Sequence, residues 1–204
     1  MKIHLVRHAE TTWHFEDRYA GLTEIDLTEN GFQQSRKLMN WAQTQEIEAI
    51  YTSKLNRSIA TAELTASSLN IMPIQDANFN EVNFGEIEGL TKSEFSNKFP
   101  ETWRDFQNFP ATTEFPGGES GEKTLRRSLI SIDEILTTSK NSEILIVSHG
   151  TLLRLLLTYF LSKDLNEYRK MFPIIDNVGI TTISLEKVGP NYDFGLHTFN
   201  SKIS

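Results

Sequence analysis

The chain has 204 residues, of which 38% are hydrophobic, 10% aromatic and 23% charged, the balance of a folded globular protein and not of a disordered or fibrous one. Twenty Lys and Arg stand against 27 Asp and Glu, a formal charge of −7, and no basic cluster is interleaved with aromatics, which argues against a nucleic-acid partner. There is no cysteine, so disulfides, thiolate metal sites and thiol nucleophiles are excluded.

The first apolar run, from Ile3, is stopped by Arg7, and nowhere is there a run of about 18 apolar residues. No membrane partner is expected, and the location expected is the cytoplasm. With no Pro/Gly/Ser-rich divide, one domain over 1–204 is expected. Lys2 to Arg7 reads as a buried first strand. Thr28-Glu29-Asn30-Gly31 then opens a helix whose apolar face is expected to hold Phe32, Leu38, Met39 and Ala42. Ala49 to Thr52 reads as a second strand, followed by a helix from about Asn56 to Leu69 with Ile59, Ala62 and Leu69 inward.

A third strand near Met72 to Gln75 leads to a loop carrying Glu81. Residues 85–116 are irregular, with Phe95, Phe99, Trp103, Phe106 and Phe109 at the spacing of short amphipathic helices and prolines at 100, 110 and 116. This segment reads as an inserted helical lid whose aromatics pack within a small cap. A helix over Glu119 to Thr138 follows, then the β-branched run Glu143 to Ser148, read as a central strand, and a strongly apolar helix over Leu152 to Leu161. Thr181 to Leu185 and Asp193 to Phe199 read as late strands. The alternation predicts a three-layer α/β/α sandwich with a mostly parallel central sheet, which places ligands at the carboxyl ends of its strands.

Arg7-His8 and His149-Gly150 both fall at such ends, and Arg57 falls in the first turn of the helix after the second strand. An imidazole beside a guanidinium is a poor structural pair, because the fixed charge of Arg7 opposes protonation of His8 and offers it no acceptor. An anion between them makes sense of both. A crevice of Arg7, His8, Arg57 and His149 is rich in donors and suits a phosphate, whose oxygens match planar guanidinium forks, with helix N-terminal amides adding to the field. A leaving alkoxide also needs a proton. Glu81 could supply it from under the lid, and Glu10, Glu86 and Glu88 compete with it on these grounds. A metal held by His4, His8 and His14 is set aside, since His4 and His8 lie about 13 Å apart along an extended strand. His4 and His197 read as ordinary strand histidines.

Six blocks in order carry a resemblance: Arg7-His8-Ala9-Glu10-Thr11; Leu27-Thr28 with Gly31 and Gln34; Ser53, Leu55, Arg57, Thr61 and Ala62; Glu81 with Gly85 and Glu88-Gly89; Gly117 to Ser120; and Val147 to Gly150. Over nearly the whole chain the sequence resembles the histidine phosphatase superfamily, the phosphoglycerate-mutase-like fold. The resemblance implies that His8 attacks phosphorus and forms a phosphohistidine. It implies that Arg7, Arg57 and a protonated His149 hold the phosphoryl oxygens, that Glu81 is the proton donor, and that no cofactor or metal is needed. Gly21 matches a loop whose amide helps close the phosphate site, and Gly150 joins the phosphate-binding set. Two positions depart from the family pattern: Ala9 replaces a glycine, and Trp13-His14 replaces Trp-Asn, so that His14 takes the place of a phosphate-touching asparagine.

A phosphomonoesterase is favoured over a mutase because residues 85–116 hold only Lys92, Lys98 and Arg104 as cations, and Val82 follows Glu81 where mutases carry arginine. Asn83 and Phe84 stand where phosphoserine-type enzymes carry a histidine. The expected partner is a small phosphorylated substrate with some apolar surface, and a homodimer is left open. Mutase-type transfer and phospho-ligand binding without turnover are the alternatives.

Overall fold

Residues 1–203 are described by a computed structural model, in which the two segments that end in histidine lie side by side; the last residue of the expected 1–204 domain lies outside the described residues. The strands are β1 (Lys2–Arg7), β2 (Ala49–Thr52), β3 (Ile74–Gln75), β4 (Glu143–Ser148), β5 (Ile180–Val188) and β6 (Asn191–Ser201). They form one sheet in the order β3-β2-β4-β1-β5-β6. The first four are mutually parallel, and β5 and β6 close the far edge as an antiparallel hairpin.

Helices α2 (Glu29–Ala42) and α3 (Asn56–Leu69) cover one face, and α6 (Gly121–Thr138) and α7 (Gly150–Phe160) cover the other. The strand period of two explains the division. Ile3 and Leu5 pack with Ile132 of α6 and Leu152 to Leu157 of α7. Val6, one residue out of phase, packs with Leu38 and Ala42 of α2 and Ala62 and Ala66 of α3. His4 shares that second face, edge-on to Trp41 at 4.9 Å between ring centroids, with Nε2 2.8 Å from Glu143 and Nδ1 3.0 Å from Thr182. Burial holds its pKa below the ordinary value in spite of Glu143, so the neutral ring donates from Nε2 and accepts at Nδ1.

Two expectations are corrected. The third strand has only the two residues Ile74–Gln75. Phe32 is exposed, because α2 packs through Gly31, Ser35, Leu38 and Ala42, a stripe of mostly small side chains that brings the helix close to the loop after β1. A ring one position along lies about 100° off that stripe.

The segment 85–116 contains α4 (Lys92–Lys98), started by a Thr91/Glu94 capping box, and α5 (Pro100–Asn108), started by its proline. Phe95, Phe106 and Phe115 pack on Phe84 and Tyr19 at 4.9 to 6.4 Å between centroids, a satellite core that continues the main one. Its two roots cross, with Glu86 N donating to Pro116 O at 2.8 Å and Glu119 N to Asn83 O at 2.9 Å. Two short helices complete the set of α-helices among the described residues, α1 (Thr12–Glu16) and α8 (Tyr168–Met171). Among the described residues no helix is long and apolar enough to cross a membrane.

Candidate active site

Register assembles the site. Arg7 pairs with Ser148 on the neighbouring parallel strand, so His8 and His149 both lie one residue past the same sheet edge, 5.2 Å apart between ring centroids. Thr52 of β2 pairs with Val147, and Arg57 enters at the same end from the first turn of α3.

His8 is buried, and its Nδ1 lies 2.8 Å from the carbonyl of Ala9. A carbonyl accepts only, so the proton sits on Nδ1 and Nε2 keeps its lone pair. Burial, reinforced by Arg57, His149, Arg7 and His14, pushes the pKa of His8 well below the ordinary value, so the ring is neutral across the physiological range. The loop behind it is pinned to α3, as Ala9 N donates to Thr61 Oγ1 at 2.9 Å and that hydroxyl donates to Arg57 O.

Arg7 donates from Nη1 to Ile175 O at 2.7 Å, and its Nη2 stands 2.5 Å from His14 Nε2. A guanidinium only donates, so His14 Nε2 accepts, while Nδ1 lies 2.9 Å from both Thr11 N and Thr11 Oγ1 at the start of α1. Burial and the Arg7 charge lower the His14 pKa to about 4. Its resting hydrogen bond is therefore with Arg7, at the cavity wall. Burial, with the like charge of Arg154, brings Arg7 down to about 10, still a cation at neutral pH.

Arg57 is 1% exposed and has no carboxylate partner among the described residues. Its Nη1 donates to Thr23 O at 2.8 Å and its Nη2 to Gly21 O at 2.6 Å. Gly21 thus meets Arg57 through its carbonyl. Its φ of +52° and the position of Glu88, whose Oε1 would lie 2.0 Å from a Cβ there, leave room for glycine only. Glu88 accepts from Leu22 N, Thr23 N and Phe84 N, and so holds this loop rather than acting on substrate. Glu10 binds Thr28 and Asn30 at the start of α2, and Glu86 is exposed.

His149 is fully buried at the N-cap of α7. Ser53 Oγ accepts from Leu55 N at 3.2 Å and lies 2.8 Å from His149 Nε2, a hydrogen bond that orients the ring. The His149 Nδ1 is buried without a partner. Burial, with Arg57, Arg127 and Arg7, drives the His149 pKa well below the ordinary value. The ring is therefore neutral in the resting site, where a low-dielectric pocket already holds fixed cations, whereas the protonated form that the resemblance implies concerns the transition state.

Glu81 lies over the start of α7, where Oε1 accepts from Val82 N at 3.0 Å and Leu152 N at 3.2 Å, and Oε2 accepts from Thr151 N at 3.0 Å. The amides of Thr151 and Leu152 at the N-terminus of α7 are thus occupied by Glu81. The Glu81 loop is held by Arg127 of α6, which pairs with Glu119 at 2.8 Å and donates to the carbonyls of Asn78, Asn80 and Glu81 at 2.7 to 2.9 Å.

Arg7, His8, His14, Gly21, Arg57, Glu81 and Gly150 line one cavity of about 630 Å³, and His149 stands directly behind His8. Two contributors are not legible in the sequence: Arg127, and Asn177, whose amide donates to His8 O at 2.8 Å and His14 Nε2 at 3.2 Å. Each acts through backbone or ring atoms far along the chain, and its residue type alone carries no signal.

Comparison with known proteins follows the same lines. Residues 3–194 match the model of the histidine phosphatase superfamily, branch 1. The chain is 30% identical over 187 residues to phosphoserine phosphatase 1 of Hydrogenobacter thermophilus, covering 92% of this chain and 88% of that one. It is also 30% identical over 172 residues to a probable phosphoglycerate mutase, GpmB, of Erwinia tasmaniensis, covering 84% and 80%. Bacillus stearothermophilus YhfR superposes with a TM-score of 0.89 at 28% identity, over 100% of this chain and 99% of that one.

Proposed function

Because the chain belongs to the histidine phosphatase superfamily, branch 1, we propose that it is a metal-independent phosphomonoesterase working through a phosphohistidine on His8. One observation carries the reading: a buried, neutral imidazole with Nδ1 tied to Ala9 O and Nε2 free, set among Arg7, Arg57 and His149. Neutrality matters because the attacking atom is the lone pair itself, and no base is needed to uncover it.

The Nε2 pair attacks phosphorus, the phosphorus–oxygen ester bond breaks, and the leaving oxygen takes a proton from Glu81. Oε2 is the oxygen for that proton, since it accepts one amide where Oε1 accepts two. Water then attacks the phosphohistidine, Glu81 takes its proton, and the nitrogen–phosphorus bond breaks with the pair returning to Nε2. Phosphate leaves. Arg7, Arg57 and His149, whose buried Nδ1 has no other partner, hold the charge spreading over the phosphoryl oxygens.

Hydrolysis is favoured over a mutase because the lid cations are engaged elsewhere. Lys92 pairs with Asp17 at 2.9 Å, Lys98 lies over Phe99, and Arg104 sits beside Asp105.

The test is p-nitrophenyl phosphate hydrolysis in EDTA from pH 4 to 8, with an alkaline denaturing quench that traps the labelled phosphoryl group on the protein. Turnover and an alkali-stable, acid-labile label are expected, both absent in His8→Ala. No turnover anywhere in that range, or a His8→Ala variant keeping half the rate, overturns the assignment. Glu81→Gln should slow alkyl phosphates about tenfold more than the nitrophenyl ester, whose leaving group needs no proton. Equal losses move the acid elsewhere.

A further inference from the structure

The sequence offers few cations in the lid, but the structure brings others to the cavity from the opposite side. Arg154 follows Gly150 by four positions and Thr151 by three, on the face of α7 that meets the cavity, about 6 Å further along the axis. Arg169 comes from α8, its guanidinium held 4.7 Å over the ring of Phe106 in the lid. Both line the same cavity as Arg7 and His8.

Charge separates these two from their neighbours. Lys92 is neutralised by Asp17 at 2.9 Å, Arg18 by Glu16 at 2.6 Å and Glu94 at 3.1 Å, and Lys170 by Glu167 at 3.0 Å. Arg154 and Arg169 have no carboxylate partner among the described residues. Arg154 donates only to Pro173 O at 3.0 Å, and its Nε is buried without a partner. The cavity wall therefore presents four guanidiniums without a carboxylate partner among the described residues, those of Arg7, Arg57, Arg154 and Arg169, against the single unpaired carboxylate of Glu81. A phosphoryl dianion on Arg7 and Arg57 leaves positive charge uncompensated a turn of helix away. Like charges gathered on one cavity wall without counter-charge repel one another, and the arrangement makes sense when the ligand brings the missing anion. Arg154 is also the strongest like charge acting on Arg7, as its position one turn along α7 requires.

We propose that Arg154 and Arg169 bind a second anionic group of the substrate, which is a phosphomonoester carrying a carboxylate or a further phosphate remote from the scissile ester. This rests on the phosphomonoesterase reading and specifies its substrate class. A guanidinium fork fits either anion, and fixing the Arg169 fork on Phe106 lowers the entropy lost on binding. The volume of about 630 Å³ exceeds what a phosphate alone occupies, and Phe84, Phe106 and Tyr19 border the space between the two charged ends.

The test is a matched pair, 3-phosphoglycerate against glycerol 1-phosphate, which differ by a carboxylate in place of a hydroxymethyl group. A second pair, fructose 1,6-bisphosphate against fructose 6-phosphate, reports a further phosphate. In the wild type, kcat/KM is expected to favour the doubly anionic member of at least one pair by about tenfold or more. Arg169→Gln should bring that ratio close to one, and Arg169→Lys should restore part of it. Wild-type ratios near one in both pairs, or an Arg169→Gln loss equal on both members, overturn the proposal while p-nitrophenyl phosphate hydrolysis still upholds the phosphatase reading. Failure to hydrolyse any ester, p-nitrophenyl phosphate included, removes both.

Discussion

At position 14 the chain places an imidazole where its resemblance to the family leads one to expect an asparagine, and the substitution changes the sign of what is offered. An asparagine amide donates to a phosphoryl oxygen. Neutral His14 instead accepts from Arg7, with its pKa brought to about 4 by burial and by that same arginine. A phosphoryl group arriving beside Arg7 screens that charge and favours a proton on His14 Nε2, which then becomes a donor. Phosphate binding should therefore couple to proton uptake at His14. The expected outcome is that the inhibition constant of inorganic phosphate, His14→Asn over wild type, rises as pH falls from 7.5 to 5.5. A flat ratio shows that His14 only braces Arg7.

At the scale of elements, the parallel strands supply the nucleophile and the clamps, while loops and helix ends supply the proton donor. Glu81 is placed by two devices: the N-terminal amides of α7, and Arg127 on α6. The lid is rooted where its two strands of chain cross at Gly85 and Gly118. Gly85 has φ +54°, and a Cβ there would lie 2.2 Å from Pro116 O, a backbone atom that has nowhere to go. Gly85→Ala should lower the Tm by about 5 °C or more, and because the crossing also positions Asn83 and Phe84 beside the cavity, it should raise KM. Thermal melts and steady-state kinetics on one preparation check both. A variant with unchanged Tm means that the crossing relaxes freely.

Across the whole molecule the buried histidines set a common response to acid. His4, His8, His14 and His149 all have pKa values lowered in the folded state, chiefly by burial, from the ordinary 6.5. Below about pH 6.5 the unfolded chain takes up protons that the folded chain refuses, so ΔG of unfolding falls as pH falls. Glu119 and Glu143, held below the usual carboxylate range by Arg127 and by His4 with Lys2, extend the loss at lower pH. The Tm should drop between pH 7.5 and 5.0, and a Tm that rises over that interval contradicts the assignment of neutral buried rings.

How much of this was legible follows from the distance over which each cause acts. Strand and helix boundaries such as Ala49–Thr52 and Asn56–Leu69 depend on local periodicity and caps, and the sequence by itself determined them, together with the sheet edge to which Arg7, His8 and His149 belong. Phe32 was misplaced because periodicity does not say how closely two helices approach, and a stripe of small residues decided that. Tertiary structure alone decided the protonation states. His149 is neutral because folding buries it and brings Arg57, Arg127 and Arg7 to it from three elements, and His14 faces Arg7 because β1 and α1 meet there. It alone also placed Arg154 and Arg169 on the cavity wall, since a charge is free or paired only with respect to neighbours that folding brings within a few ångströms.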